Sequence, residues 1–401
     1  MIPYGRQDIS QQDIDAVVEV LNSPNLTQGK ATPQFEDDLK SYCATEYAVA
    51  TSNATSALHI ACLALGLGPG DWMWTSPNTF VASANCALYC GAKVDFVDVD
   101  ANTYNMSIPH LMEKLELAKN QGMLPKILIP VHMCGQSCDM VEIKKLSNKY
   151  GFSIIEDASH AIGAKYSDLS KFMTGEVVEL SSYDRVGNCK YSDITVFSFH
   201  PVKIITTGEG GVAMTNNPDL ANAMRLYRSH GITSDSRDMK PRPTDEIWNY
   251  QQIALGFNYR MTDIQAALGS SQIKRLDEFV QKRHQLASRY NSKLADLPLQ
   301  LPWQHPNSYS SYHLYPIRIK LNEVKKTQQE IYESLREHDI LVNLHYIPVY
   351  RQPYYEELGF KPGYCPEAEQ FHKEAISIPM YFGLTFDQQD EVISTLKLIL
   401  E

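Results

Sequence analysis

Across its first two-thirds the chain alternates short β-rich runs with stretches of helical period, and few folds accommodate that order. EYAVATSN (46–53) reads as a strand and ATSALHIACLALGL as the helix after it. WMWTSP (72–77) and KVDFVDVD (93–100) are further strands, with the helical SANCALYCGA between them. KILIPVH (126–132), FSIIEDAS (152–159), DITVFSF (193–199) and GGVAMTN (210–216) continue the series, and MVEIKKLSNKYG supplies an intervening helix. Such alternation predicts an α/β fold with a mostly parallel central sheet flanked by helices. Residues 263–294 read as one long helix, after which the pattern changes to HLYPIRIK as a strand and QQEIYESLREHD as a helix. The expected division is a large α/β domain over 1–280 and a small α+β domain over 281–401. The stretch 166–187 has no clear period and is expected to be a surface excursion.

Bulk composition narrows the function classes. The 401 residues are 43% apolar and 21% charged, ordinary for a soluble globular protein. Against 36 basic residues stand 47 acidic ones, a net charge of −11 without basic clusters, which argues against nucleic-acid binding. The N-terminus lacks the basic-then-apolar layout of a signal peptide, and the longest apolar stretch, 58–66, is too short to span a bilayer. A cytoplasmic location without membrane association is expected. The eight cysteines lie mostly in apolar surroundings, and Cys86/Cys90 and Cys134/Cys138 are spaced too widely for a zinc pair. No metal is expected.

Four pieces at the ends of predicted strands carry chemistry, and strand ends are where ligands gather in open α/β sheets. SNATSA (52–57) joins a strand to a helix, so Thr55 and Ser56 are either ordinary helix-start residues or part of a phosphate cradle. Asp157 closes FSIIEDAS, either as a helix cap or as the partner of a cofactor's pyridine nitrogen. Lys203 follows a buried strand in SFHPVK; it is either a loop lysine or an amine whose desolvation frees it to attack a carbonyl. Phe80, after WMWTSP, is either core or a stacking face for an aromatic ring.

Taken in order, SNATSALHIACLALGLG, SPNTFVASAN, EDASHA, SFHPVK, TTGEGG, YRSHG, GFNYRMTDIQAALG, SSYHLYPI and HYIP resemble the DegT/StrS family of sugar-nucleotide aminotransferases. These are fold type I enzymes dependent on pyridoxal 5′-phosphate (PLP), and the likeness runs along nearly the whole chain. The resemblance implies that Lys203 holds PLP as a Schiff base and shuttles a proton. It implies that Asp157 pairs with the pyridine nitrogen, His160 sits by the ring hydroxyl and Phe80 stacks on the ring. Thr55, Ser56 and Ser198 would bind the phosphate, with Asn258 reaching in from a second subunit of a homodimer. Tyr4, Asn25, Leu26, Thr27, Ala54, Ser198, Asn258, Tyr312, His313, Leu314 and Tyr315 match positions that line the sugar-nucleotide site. The phrasing is most similar to the pseudaminic acid subgroup, which implies a UDP-linked 4-keto-6-deoxy-N-acetyl-altrosamine as acceptor and L-glutamate as donor. Another UDP- or dTDP-keto-sugar is the alternative within the family.

Two departures bear on substrate choice: 166–187 is longer than in typical relatives, and Tyr350 stands where many place His. A dinucleotide oxidoreductase is rejected because Gly66, Gly68 and Gly70 end a helix, whereas the fingerprint must open one. A non-catalytic relative, or a dehydratase with His at the lysine position, is disfavoured by Lys203.

Overall fold

Runs of apolar residues short enough to be buried on both faces become the strands of one seven-stranded sheet. These are Tyr47–Thr51 (β1), Trp72–Thr75 (β2), Lys93–Phe96 (β3), Ile127–Ile129 (β4), Ser153–Asp157 (β5), Ile194–Ser198 (β6) and Gly211–Thr215 (β7). The computed structural model describes all residues except 167–182, 242–245, 247, 307 and 401. The strand order is β1-β7-β6-β5-β4-β2-β3. Pairs from β3 through β2, β4 and β5 to β6 are parallel, while β7 runs antiparallel to both β6 and β1. The expected mostly parallel sheet flanked by helices is therefore present, with one reversed strand. Most of the expected excursion 166–187 lies outside the described residues.

Alternation along the strands sends side chains to two cores. Trp74, Leu128, Ile154, Phe197 and Val212 pack on one face, and Met73, Ile127, Ile155, Val196 and Ala213 on the other. The helix Ala54–Ala64 is buried from Ser56 through Cys62, which explains why its sequence is apolar nearly all round. All eight cysteines are buried free thiols. No helix among the described residues is long and apolar enough to cross a membrane.

The expected single helix over 263–294 is instead two helices, Asp263–Gln272 and Leu276–Lys293, joined by a 3₁₀ turn at Ile273–Arg275. The break follows Gly269-Ser270-Ser271, weak helix formers, where Gln272 donates to Asp13 (2.8 Å) and Arg275 pairs with Asp8 (2.8 Å). The second helix serves both halves of the molecule. Leu276, Phe279 and Val280 belong to the core of the large sheet. Leu286, Ala287 and Tyr290 belong to that of a small antiparallel sheet, Leu299–Gln300, Tyr315–Ile319 and Ala375–Ile378. The changeover anticipated near residue 280 thus falls within one continuous helix. Arg283, buried and with no carboxylate partner among the described residues, donates to the carbonyls of Tyr312, His313 and Met380 at 2.9–3.0 Å. It ties this helix to the loop that carries His313.

Candidate active site

Four of the strand ends converge on one cavity of about 870 Å³. After β1, Asn53 caps the following helix, accepting from the Ser56 N–H at 2.8 Å. The N–H groups of Ala54 and Thr55 have no intrahelical partner and sit at the positive end of the helix. Gly211, opening β7, lies against this turn so closely that a Cβ would come within 2.5 Å of the Ala54 nitrogen. Only glycine lets the reversed strand abut the anion-binding end of the helix. Ser198 ends β6, and its side chain also faces the cavity.

Lys203 and Asp157 line the same space. Burial pulls the Lys203 ammonium down to about 8, against the opposing pull of the Asp157 carboxylate and the Cys134 thiol. Asp157 accepts from the Ser83 hydroxyl at 2.5 Å and from the Ser159 N–H at 3.1 Å. Phe80 is 61% exposed although it belongs to an apolar stretch, because its ring borders the cavity instead of the core.

Three buried histidines close the opposite wall. His160 and His313 stand 4.5 Å apart between ring centroids, and the Nδ1 of each has no hydrogen-bond partner among the described residues. His345 Nδ1 meets Ser377 Oγ at 2.9 Å, and Tyr346 Oη meets His160 Nε2 at 3.2 Å. Burial, reinforced by Lys203 and His345, holds His160 well below the ordinary histidine value, and burial with the same cation takes His345 to about 3. Burial, then His160 and Lys203, lowers His313 as well. The wall is therefore polar but uncharged at neutral pH.

Residues 7–397 match the DegT/DnrJ/EryC1/StrS aminotransferase family. The chain belongs to that family. A Campylobacter jejuni UDP-4-amino-4,6-dideoxy-N-acetyl-beta-L-altrosamine transaminase is 36% identical over all of this chain and 98% of its own length. Among solved structures, Helicobacter pylori PseC, an aminotransferase involved in the biosynthesis of pseudoaminic acid, superposes with a TM-score of 0.85 at 30% identity, over 100% of this chain and 99% of that one. Streptococcus pneumoniae Spr1654 in its PLP-form superposes with a TM-score of 0.84 at 28% identity, over 99% and 98%. The enzyme is an aminotransferase of the sugar-directed, PLP-dependent class.

The aminotransferase brings together Tyr4, Ala54, Thr55, Ser56, Phe80, Asp157, His160, Ser198, Lys203 and His313, ten of the positions singled out in the sequence. Asn25, Leu26, Thr27 and Asn258 are exposed and outside the cavity of their own chain. Of the stretch 312–315, only His313 faces it. Tyr312, Leu314 and Tyr315 turn into packed cores, because the strand Tyr315–Ile319 begins there and pairs Tyr315 with Ile378. Tyr350 is likewise buried, donating to Glu369 at 2.6 Å, and does not line the cavity.

Other lining residues were not singled out: Ser83, Asn343, Leu344, His345 and Tyr346. Ser83 lies in SPNTFVASAN and His345-Tyr346 in HYIP, so both stretches were visible. The first stretch drew attention to Phe80 and not to Ser83, and the second did not reveal which side chain would turn inward.

Proposed function

We propose that this aminotransferase transfers an amino group from L-glutamate to C4 of a UDP-linked 4-keto-6-deoxy-N-acetyl-hexosamine of altro configuration, as a step of pseudaminic acid biosynthesis, using PLP held on Lys203. The observation that carries the reading is an amine and a carboxylate, Lys203 and Asp157, facing one cavity beside a helix N-terminus. The donor set fits PLP. Lys203 would hold its aldehyde, Asp157 its ring nitrogen, and Thr55, Ser56, Ser198 and the Ala54 end of the helix its phosphate. Phe80 offers a stacking face, and the unpartnered Nδ1 of His160 awaits a polar atom.

When bound, PLP supplies a carbonyl to carry the amino group and a ring that draws electrons from the reacting carbon. The chain supplies the rest. Burial leaves about a tenth of Lys203 as the neutral amine at pH 7, several hundred times the share roughly expected of an exposed lysine, so Nζ attacks a carbonyl and, once released, moves a proton to and from the substrate carbon. Asp157 holds a proton at the ring nitrogen, and the uncharged histidine wall excludes water without competing for that proton.

The altro-configured sugar rests on the 36% identity along the full chain with an altrosamine transaminase, and L-glutamate on the family resemblance of the sequence. The test is mass spectrometry of the products formed from glutamate and a panel of UDP- and dTDP-keto-sugars. A single amine on the altro-configured UDP-sugar is the expected result. Amination of a different keto-sugar alone would replace the acceptor and keep the reaction.

A homodimer with shared sites is part of the proposal. Asn258 is exposed and outside its own cavity, and nearby Trp248, Tyr250, Ile253 and Leu255 are exposed apolar side chains. Mixing inactive Lys203→Ala and Asn258→Asp proteins under subunit exchange should restore activity, since one heterodimer site then carries neither defect. A mixture that stays inactive, with exchange confirmed by tagged pull-down, removes Asn258 from the neighbouring site.

A further inference from the structure

Directly beside Asp157 on the same strand, and turned to the opposite face of the sheet, lies a second carboxylate that the reaction does not use. Glu156 is completely buried. Its Oε1 accepts from Ser192 (2.5 Å) and Thr195 (3.1 Å), and its Oε2 from Tyr166 (2.6 Å) and His132 (2.7 Å). Two carboxylate oxygens offer about four lone-pair sites, and here four donors meet them. Burial by itself would raise this carboxyl, but the bonds from His132, Ser192 and Tyr166 outweigh it and hold Glu156 below its ordinary value.

The His132 ring is also buried, and its Nδ1 accepts the Cys138 N–H at 3.1 Å. Burial pulls His132 down while Cys138 and the Glu156 carboxylate pull it up, to about 10 on balance. But a nitrogen that accepts carries no proton, so the Cys138 N–H aimed at Nδ1 keeps the ring in the neutral Nε2–H form and it brings no cation to Glu156. The negative charge of Glu156 is dispersed over dipoles but not cancelled. The same His132 donates its main-chain N–H to the Asp157 carbonyl at 3.0 Å, and the Asp157 N–H goes to Pro130 at 2.9 Å. His132 therefore grips both residues of the Glu156-Asp157 pair.

We infer that Glu156 is a positioning residue for Asp157: anchored through His132, it fixes the strand end that aims the Asp157 carboxylate into the cavity, and as an anion it raises the proton affinity of whatever Asp157 holds there. The titratable groups facing Glu156 are His132, Tyr166 and Cys189, and burial pushes Tyr166 and Cys189 up, so neither is charged near neutral pH. Those facing Asp157 are Lys203 and Tyr346. This inference rests on the proposed PLP site.

The test is a pH titration of the PLP-loaded enzyme followed by the nitrogen-15 chemical shift of the cofactor's ring nitrogen, which moves as that nitrogen loses its proton. Glu156→Gln removes the charge and should lower the midpoint by about half a pH unit or more, the scale of one full charge a residue away in protein. Tyr166→Phe keeps the charge but removes one dipole that disperses it, and should move the midpoint up by a smaller amount. A merely structural role gives unchanged midpoints, or shifts of one sign, alongside a lowered melting temperature in both variants; either result overturns the inference. Should Glu156→Gln fail to fold, an unchanged midpoint in Tyr166→Phe overturns it alone. A wild-type protein that takes up no PLP, or fixes it to a lysine other than Lys203, overturns the PLP site itself. Bound PLP with unmoved midpoints overturns only the role of Glu156.

Discussion

Replacing Lys203 by alanine is expected to reduce turnover by about ten-thousand-fold while leaving PLP bound without a covalent link, since proton transfer and cofactor capture share one amine. Borohydride reduction of the wild type should fix PLP to the peptide carrying Lys203, and Lys203→Ala should yield no adduct. The pH dependence of capture by the cofactor-free protein follows from burial. Lys203 is pulled down to about 8, and the neutral amine is the nucleophile. The capture rate should therefore rise as pH increases through about 8 and level off above it. An exposed lysine would keep gaining rate up to about pH 10. A rate still climbing there, or an adduct on another lysine, would show that Lys203 is not the desolvated amine.

Asp157→Asn is expected to leave the fold intact and reduce turnover by about a hundred- to a thousand-fold, the usual loss when one preorganised electrostatic group is removed. The amide oxygen still accepts from the Ser159 N–H, and the amide NH2, in place of the oxygen that meets Ser83, donates to the Ser83 hydroxyl once that hydroxyl turns to accept. An amide cannot, however, hold a proton on a pyridine nitrogen by charge. Circular dichroism and melting temperature near those of the wild type, together with the fall in turnover, are the paired result to look for. Near-normal turnover in the well-folded variant would refute this role for Asp157.

The two variants bear on residues reached by the same reasoning. Lys203 and Asp157 were legible because each follows an apolar run that must be a buried strand, and a polar residue at such a strand's end has to face the functional edge of the sheet. Their rival readings, a loop lysine and a helix cap, could not be discarded from local sequence. Putting both beside one cavity took the order β5-β6 and the parallel pairing that brings Asp157 level with Val196.

Period and composition alone determined the α/β class and the positions of the seven strands of the large sheet, because burial on two faces leaves a continuous apolar run. They also brought out the phosphate-cradle candidates, since a strand-to-helix turn exposes N–H groups whatever surrounds it. Only the tertiary structure decided that His313 faces the cavity while Tyr312, Leu314 and Tyr315 do not. That choice depends on the register of Tyr315 with Ile378 and on the grip of Arg283 on the loop. The reversal of β7 was equally hidden, since a strand buried on both faces reads the same in either direction. Glu156 was the most concealed of all. Its neighbours His132, Tyr166, Ser192 and Thr195 are scattered along the chain, and nothing local says that four donors will meet one carboxylate. Periodicity reports which face a side chain takes; which partners meet it there is set by contacts between distant segments.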